Sequence, residues 1–261
     1  MMVDGHDEAV KTAFTTQAPA FEDRRFNRTF ATDVEWIFER LDLGNDHLAL
    51  DVAGGTGHAA RFLSPLVRAV VVLDATAAML ETGREAAVER GCSNVVFIRG
   101  DAAAMPFLES SFDVVVCRFA VHHFEEANEQ LTEMVRCLRP GGQLVLADLV
   151  ADADPAVAAA QDRLERLRDP SHTRLLSPAE LRRGLETLGV VVSGTDMREV
   201  DRPLAPWLAQ TGAADEVAAE ISGALRSEID GGPSTGFAAH DEGGELWFIQ
   251  RFASVTARKP S

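Results

Sequence analysis

The chain has 261 residues, of which 46% are hydrophobic, so it can bury one large core and is expected to form a single α/β domain with appendages. It contains no apolar stretch of the roughly 18 residues that a membrane-spanning helix needs, and no membrane partner is predicted. The formal net charge of −16 argues against a nucleic-acid partner and favours a cationic small ligand, although the same charge also serves ordinary solubility.

The N-terminal residues carry no secretion signal. Residues 1–8 lack the positive n-region and the apolar h-region of a signal peptide. The three cysteines, Cys92, Cys117 and Cys137, show no C-x-x-C spacing. We therefore expect a cytoplasmic protein with reduced thiols.

The first predicted elements are helices. Residues 3–28 resemble a polar helix that carries Phe14, Phe21 and Phe26. An amphipathic helix ending near Gly44 is predicted next, from the apolar positions Val34, Ile37, Phe38 and Leu41.

The most informative segment covers residues 48–60 and reads L-A-L-D-V-A-G-G-T-G-H-A-A. Asp51, Gly55 and Gly57 fit the pattern D-x-x-x-G-x-G, in which glycines let the backbone approach a ligand and the helix N-terminus offers unpaired N–H groups. With Ala60, the same glycines also fit the G-x-G-x-x-G/A pattern of dinucleotide enzymes. This loop alone predicts a nucleotide cofactor without separating NAD from S-adenosylmethionine (SAM).

Further apolar runs predict the strands of a parallel sheet covered by helices on both faces. These runs cover residues 69–73, 95–98, 112–117 and 143–147. The first ends at Asp74, which lies 17 residues beyond Gly57, close to the offset at which an acid meets a ribose diol. The second leads into Asp101, and the third ends at Arg118.

The rest of the chain continues this alternation. A helix through Leu138 is predicted to stop at Pro140-Gly141, and a capping box at Ser177 to Glu180 predicts a helix that Gly189 closes. The other predictions are helical segments at 154–174 and 205–229, strands at 190–193 and 246–254, and a loop at 234–244.

The ordered motifs resemble those of class I SAM-dependent methyltransferases, most closely the small-molecule branch (type 11) typified by ubiquinone/menaquinone biosynthesis. The resemblance covers roughly residues 46–148 and rests on the glycine loop, Asp74, Gly100-Asp101 and the run Leu138-Arg139-Pro140-Gly141-Gly142. It implies an α/β, Rossmann-like, mostly parallel sheet of seven strands, with the last strand inserted antiparallel.

The resemblance also implies a single domain over residues 1–261. Residues 1–45 would form an N-terminal helical lid, although their phenylalanines could simply pack on the domain. Residues 46–150 would form the cofactor-binding core. Residues 151–261 would supply the closing strands and an insertion after strand five that roofs the methyl acceptor.

The same resemblance assigns cofactor roles. Asp51 would organise the glycine turn and approach the methionine end of SAM, Asp74 would accept both ribose hydroxyls, and Asp101 would read the adenine edge with the Ala102 amide. Each acid also has a plainer interpretation as a helix cap, turn or surface residue. Position 53 is Ala where the fullest family motif has Gly. The predicted SAM contacts are Asp51, Ala53, Gly55, Gly57, Asp74, Ala75, Met79, Asp101, Ala102 and Arg118.

Catalytic residues are harder to assign, because methyl transfer requires alignment and water exclusion, and a base only when the acceptor is protonated. The candidate bases are His122 and His123 after strand four, Asp148 at the end of strand five, and His172 in the roof. For both His122 and His123, a structural histidine bonded to backbone is the competing interpretation. His122, His123 and Asp148 lack the spacing of a metal site, and no metal is predicted.

The predicted function is SAM-dependent methyl transfer to a small organic acceptor at oxygen, nitrogen or carbon. Aromatic and aliphatic roof residues favour a partly apolar acceptor, namely Leu175, Leu176, Trp207 and Phe237. The protein would act as a monomer or homodimer. Three alternatives stay open: a SAM-binding enzyme with a non-methylating reaction, an NAD-dependent oxidoreductase, and a non-catalytic SAM-binding regulator.

Overall fold

The computed structural model describes residues 5–23 and 34–261. The lid prediction at residues 1–4 and 24–33, which include Phe26, lies outside the described residues. Within the described residues, none of the helices combines the length and the apolar character that crossing a bilayer demands.

The centre of the molecule is one twisted sheet. Its strands are β1 (Leu48–Val52), β2 (Ala69–Asp74), β3 (Val95–Arg99), β4 (Phe112–Arg118), β5 (Leu138–Leu149), β6 (Val191–Pro203), β7 (His240–Glu242) and β8 (Glu245–Arg258). They are ordered β3-β2-β1-β4-β5-β8-β6, with β7 paired to β8 beside this path. Strands β1 to β5 are parallel, and β8 runs antiparallel to both β5 and β6.

The predicted mostly parallel Rossmann-like sheet, with its last strand inserted antiparallel, is confirmed. The strand count differs, because residues 240–242 lie in the predicted loop at 234–244 and pair with β8 as a short eighth strand. Gly243 and Gly244 both adopt positive φ, +65° and +91°, which closes this hairpin tightly.

Several boundaries differ from the sequence expectation. Strand β6 extends ten residues beyond the predicted end at Ser193, because its antiparallel pairing with β8 continues through Pro203. Strand β5 begins at Leu138, which pairs with Phe112, so the preceding helix ends at Cys137 before the Pro140-Gly141 stop is reached.

Helices cover both faces of the sheet and one end of it. They are α1 (Gly5–Glu22), α2 (Glu35–Phe38), α3 (His58–Leu63), α4 (Ala77–Glu89), α5 (Ala127–Cys137), α6 (Pro155–Arg168), α7 (Pro178–Thr187), α8 (Leu204–Thr211) and α9 (Asp215–Ile229). The amphipathic helix predicted to end near Gly44 is a single turn, α2. The helical segment at 205–229 is two helices, because Gly212 turns the chain with φ +66°.

The capping box of α7 is confirmed in both halves. The Ser177 hydroxyl accepts a hydrogen bond from the Glu180 N–H, and the Glu180 carboxylate accepts one from the Ser177 N–H at 2.8 Å. Gly189, just beyond this helix, has φ +80° and ends it as predicted.

The core has four parts, the smallest of which consists of Leu149, Leu175 and Phe252. Neighbouring residues of β1 and β4 belong to two different clusters. Leu50 and Val115 lie in one cluster, and Ala49 and Val114 lie in the other. Because side chains alternate across a strand, these two clusters lie on opposite faces of the sheet. A separate cluster holds the roof together and consists of Leu164, Leu204, Trp207, Leu208, Ile221, Leu225, Phe237 and Phe248. The roof therefore has its own apolar support above the sheet edge.

Candidate functional site

A cavity of about 480 Å³ lies at the carboxyl ends of β1 to β5, where open α/β sheets bind their ligands. The loops after these strands form its floor. Helix α1 lines the cavity through Phe14 and Phe21, and the roof lines it through Trp207 and Leu175. Elements far apart in sequence thus enclose one space.

Every second residue of the glycine loop between β1 and α3, three in all, has a left-handed backbone conformation. Ala53, Gly55 and Gly57 have φ of +50°, +56° and +78°. A left-handed backbone costs a residue other than glycine about 1–2 kcal/mol, so Ala53 carries strain that the family's glycine would lack. A Cβ at Gly55 would meet only the Met79 Sδ, at 3.9 Å, which leaves this stretch of backbone open to a ligand.

Asp51 lies beneath this loop and is 1% exposed. Its Oδ2 accepts a hydrogen bond from the Ala60 N–H at 3.1 Å, whereas its Oδ1 has no hydrogen-bond partner among the described residues. Burial raises the pKa of Asp51 to about 7, against the opposing effect of Arg118. A buried carboxylate oxygen without a donor is costly, and a ligand ammonium group would satisfy it.

Asp74 ties the end of β2 to the glycine loop. Its Oδ2 accepts from the Gly55 N–H at 2.9 Å and its Oδ1 accepts from the Thr76 N–H at 2.8 Å. Burial raises the pKa of Asp74, although these hydrogen bonds act in the opposite direction. Each carboxylate oxygen has a second lone pair, so the side chain can still accept hydroxyl hydrogens from the cavity.

Asp101 combines the two interpretations made for it. Its Oδ1 accepts from the Ala103 N–H at 2.8 Å, as a turn residue does, and both Asp101 and Ala102 line the cavity. The turn therefore places Ala102 next to Asp101 at the same cavity.

The structure places all but one of the predicted SAM contacts at the cavity wall. The lining residues are Asp51, Ala53, Gly55, Asp74, Ala75, Met79, Asp101, Ala102 and Arg118. Gly57 is the exception: it is the N-cap of α3, and a Cβ there would come within 3.0 Å of the Phe97 ring. Gly57 therefore shapes the loop from behind the wall, and its contact with the cofactor stays a prediction.

His122 and Asp148 form a buried pair. The Asp148 Oδ1 lies 2.6 Å from the His122 Nδ1, and its Oδ2 accepts from the His122 backbone N–H at 3.2 Å. Asp148 is 1% exposed and does not line the cavity, whereas His122 does. The Asp148 carboxylate thus contacts His122 instead of lining the cavity, and its catalytic role stays a prediction.

This pairing sets the protonation of His122. Burial alone lowers its pKa, but the negative charge and hydrogen bond of Asp148, with Glu165 and Asp169 farther off, outweigh burial and raise the pKa above its usual 6.5. The His122 Nε2 has no hydrogen-bond partner among the described residues. The ring thus has one nitrogen fixed by a carboxylate and one available for a proton.

His123 and His172 lie next to the pair of His122 and Asp148, but their hydrogen bonds go to other residues. The His123 Nδ1 lies 3.0 Å from the Ser171 carbonyl oxygen, and Phe14 packs edge-on against its ring at 4.9 Å. Burial and the neighbouring His122 hold the pKa of His123 well below its usual value. The His172 Nε2 lies 3.0 Å from the Asp162 Oδ1, and both histidines line the cavity. The backbone contact of His123 is the one expected of a structural histidine.

Helix α1, the described part of the predicted lid, is held at both ends. The His58 Nε2 lies 3.1 Å from the Phe21 carbonyl oxygen, and the Arg61 Nη2 donates to the Glu22 Oε1 at 2.7 Å. At the other end, the His6 Nε2 lies 2.9 Å from the His123 carbonyl oxygen. Burial lowers the pKa of His58 to about 4, so this histidine is neutral at physiological pH.

Some cavity residues carried no sequence signal. Phe119 has φ +55°, which is an unfavourable backbone conformation for a bulky residue. No pattern in the sequence predicts it. The polar roof residues come from α6, β6, α8 and β8, so no local motif unites them; they are Glu165, Arg168, Arg202, Gln210 and Gln250. Of the apolar roof residues singled out above, Leu175 and Trp207 line the cavity, whereas Leu176 and Phe237 do not.

One group of side chains in the described ranges could supply three ligand atoms to a metal, within 4.8 Å of one another. It consists of Asp201, His240 and Glu242, which are exposed or half-buried and do not line the cavity. The alternative set of His122, His123 and Asp148 has its Nδ1 atoms engaged by Asp148 and by the Ser171 carbonyl.

Known proteins share this fold and these motifs. Residues 50–146 match the methyltransferase domain family. The uncharacterized methyltransferase YcgJ of Bacillus subtilis is 36% identical over 172 residues, which cover 65% of this chain and 67% of YcgJ. The ubiquinone/menaquinone biosynthesis C-methyltransferase UbiE of Hahella chejuensis is 38% identical over 117 residues, 43% of this chain and 47% of UbiE.

Solved structures agree with the sequence relatives. BH2331 of Bacillus halodurans superposes with a TM-score of 0.81 at 29% identity, over 88% of this chain and 100% of the other. The crystal structure of YcgJ superposes with a TM-score of 0.79 at 27% identity, over 87% of this chain and 98% of YcgJ. With its sheet order, its glycine loop and these relatives, the chain belongs to the SAM-dependent methyltransferase family.

Proposed function

We propose that this protein transfers the methyl group of SAM to a small organic acceptor, at oxygen, nitrogen or carbon, by in-line displacement. The observation that carries the proposal is the arrangement of Asp51, Asp74 and Asp101 around one cavity that also contains His122. The carboxylates suit the polar groups of the cofactor, and His122 lies where an acceptor would be deprotonated.

The residues present fit SAM. Asp51 has a buried oxygen for which the described residues offer no donor, which matches an ammonium group, and Arg118 beside it matches a carboxylate. The open backbone at Gly55 and the Asp74 carboxylate match a ribose, and Met79 supplies an apolar wall for adenine. When bound, SAM supplies a methyl group that its sulfonium already activates.

The chain's own residues would then orient the acceptor and exclude water. Phe14 and Phe21 of α1 and Trp207 of the roof close the cavity with aromatic surface, which favours a dry reaction site. Helix α1 would act as the lid, since its C-terminal end is attached to the core by Arg61 and His58.

His122 would hold or accept the acceptor's proton at Nε2. Asp148 would act as a positioning residue, because its hydrogen bond to Nδ1 fixes the ring and stabilises the protonated form. This step applies to acceptors that are protonated at the working pH, such as phenols, acids or carbon acids. An acceptor that is already deprotonated needs only the alignment.

The experiment is a screen for transfer of a labelled methyl group from SAM to small organic acceptors, with wild-type protein and His122→Ala. We expect a methylated product with wild-type, and a turnover at least tenfold lower with His122→Ala at unchanged SAM affinity. Binding of SAM with cofactor recovered unchanged while an acceptor is cyclised or cleaved would replace methyl transfer by a non-methylating reaction. Equal turnover of the two proteins would remove His122 from the chemistry.

A further inference from the structure

Three side chains with metal-binding atoms meet outside the cavity. Asp201 lies near the end of β6, and His240 and Glu242 are the first and last residues of β7. One nitrogen or oxygen atom from each lies within 4.8 Å of the other two. None of the three residues lines the cavity. This group is therefore separate from the site proposed for SAM and the methyl acceptor.

Pairing with β8 places the three side chains on one face of the sheet. Asp201 pairs with Ile249, and His240 pairs with Trp247. Residues that pair directly, and residues two apart along a strand, point to the same face. Trp247 and Ile249 are two apart on β8, and His240 and Glu242 are two apart on β7. The regular strands, and not a loose loop, thus bring the group together.

The His240 ring is oriented as a metal ligand would be. Its Nδ1 lies 3.4 Å from the Ala238 carbonyl oxygen, which can only accept a hydrogen bond, so the hydrogen belongs on Nδ1 and the Nε2 lone pair is left for a ligand. The His240 Nε2 lies 3.4 Å from the Asp201 Oδ2. Two ligand atoms at about 2.1 Å from a tetrahedral zinc ion lie about 3.4 Å apart. These two atoms therefore have the separation of two zinc ligands.

The two carboxylates of the group are not balanced by arginine or lysine among the described residues. Asp201 has its ion pair with His240, and Glu242 has none within the described ranges. Arg202 is buried and donates to a glutamine of β8, and Arg251 pairs with two other acids. A proton on His240 would balance one carboxylate. A divalent cation would balance both.

The donor set favours a transition metal over calcium or magnesium. Imidazole nitrogen suits zinc and its neighbours, whereas calcium and magnesium prefer ligand sets made of oxygen. One histidine and two carboxylates are all ligand types of zinc sites. Three protein ligands leave one tetrahedral position for water. The side chains are exposed or half-buried, so an ion can enter from solvent and the Glu242 side chain can rotate towards it.

We propose that Asp201, His240 and Glu242 bind one divalent transition-metal ion, such as Zn²⁺, which links β6 to the hairpin of β7 and β8. Phe237 precedes this hairpin and Phe248 lies within β8, and both belong to the roof core. The ion would therefore stabilise the roof. The inference goes beyond the proposed function and does not depend on it, because the group does not line the cavity.

The test is a calorimetric titration of protein freed of metal by a chelator, with Zn²⁺ and, separately, with Ca²⁺. We expect one Zn²⁺ to bind per chain at micromolar concentration and Ca²⁺ to bind at least tenfold more weakly. Zn²⁺ should also raise the Tm, because the assembled ligands exist only in the folded chain. Nuclear magnetic resonance of labelled histidines should show the His240 signals shifting during the titration.

Three variants locate the site. His240→Ala, Asp201→Asn and Glu242→Gln should each weaken Zn²⁺ binding at least tenfold and reduce the rise in Tm, because each removes one ligand. Glu216→Gln, which removes an exposed acid of α9, is the matched control for the loss of charge and should bind Zn²⁺ as wild-type does. All four variants should bind S-adenosylhomocysteine within about twofold of wild-type.

Three results would overturn the inference. The first is no binding of Zn²⁺ to wild-type protein at micromolar concentration, which requires no variant to fold. The second is an unchanged Zn²⁺ affinity in His240→Ala, which would place the ion at another histidine. The third is binding of Ca²⁺ as tight as that of Zn²⁺, which would remove the role of the imidazole.

Discussion

The Asp74 carboxylate serves the loop and the cavity at once. It accepts from the Gly55 and Thr76 amides while lining the cavity in which we place the ribose. We expect Asp74→Ala to lower SAM affinity at least hundredfold, because the ribose acceptor is lost and the Gly55 turn loses its anchor. Calorimetric titration with SAM measures this, and circular dichroism checks the fold. Glu85→Ala, which removes an exposed acid of α4, is the control and should bind SAM as wild-type does.

The pKa of His122 is the second prediction at this scale. Asp148 raises it above 6.5 in spite of burial, so removing the charge with Asp148→Asn should leave burial dominant and lower the midpoint below 6.5. Nuclear magnetic resonance of labelled histidines follows this titration without an acceptor. A base must be neutral, so the wild-type rate should fall as the pH drops through the His122 pKa. An unchanged midpoint in Asp148→Asn would contradict the pairing, and Asp162→Asn, beside His172, is the matched control.

Ala53 tests the strain in the glycine loop. With φ +50° it pays for a left-handed backbone, which glycine adopts without cost. Ala53→Gly should raise the free energy of unfolding by up to about 1 kcal/mol, the relief of strain being partly offset by the greater entropy of the unfolded chain. Urea denaturation measures the change. Ala219→Gly, at an exposed position within α9, should instead lower it by about 0.5–1 kcal/mol.

Helix α1 depends on a few polar contacts at its C-terminal end. Glu22→Gln removes the carboxylate that pairs with Arg61 and lies 3.2 Å from His58, so we expect the docking of α1 to weaken by about 1 kcal/mol. Amide hydrogen exchange should accelerate in residues 5–22 and stay unchanged in β1 to β5. Glu8→Gln, an exposed acid of the same helix, should leave exchange as in wild-type. Exchange that is equally slow in Glu22→Gln would show that the Glu22 carboxylate does not hold α1 in place.

The reliability of the sequence predictions differed between elements. The runs leading to Asp51, Asp74 and Arg118 are buried parallel strands whose composition is typical and whose ends are charged, so their positions could be predicted closely. The end of strand β6 could not be predicted from the sequence. Residues Arg198 to Arg202 alternate in exposure on an edge strand, and they are held in the sheet by pairing with β8, which is distant in sequence. The short strand β7 depends on that same partner.

The whole molecule assembles the cavity from two halves. The half predicted to bind the cofactor is lined by residues between 51 and 118, and local sequence motifs cover these residues. The roof half depends on how α6, β6 and α8 meet, so Arg168 and Arg202 could be found only in three dimensions. Asp148 was predicted as a candidate base. In the structure its carboxylate contacts His122, and no sequence pattern predicts this contact between residues 26 apart.

We propose that this cavity binds SAM and that Asp51, Asp74 and Asp101 contact it. A calorimetric titration of purified protein with SAM, S-adenosylhomocysteine and NADH in parallel tests this directly. We expect both adenosyl ligands to bind at micromolar concentration and NADH not to bind. Binding of NADH without binding of SAM or S-adenosylhomocysteine would contradict it.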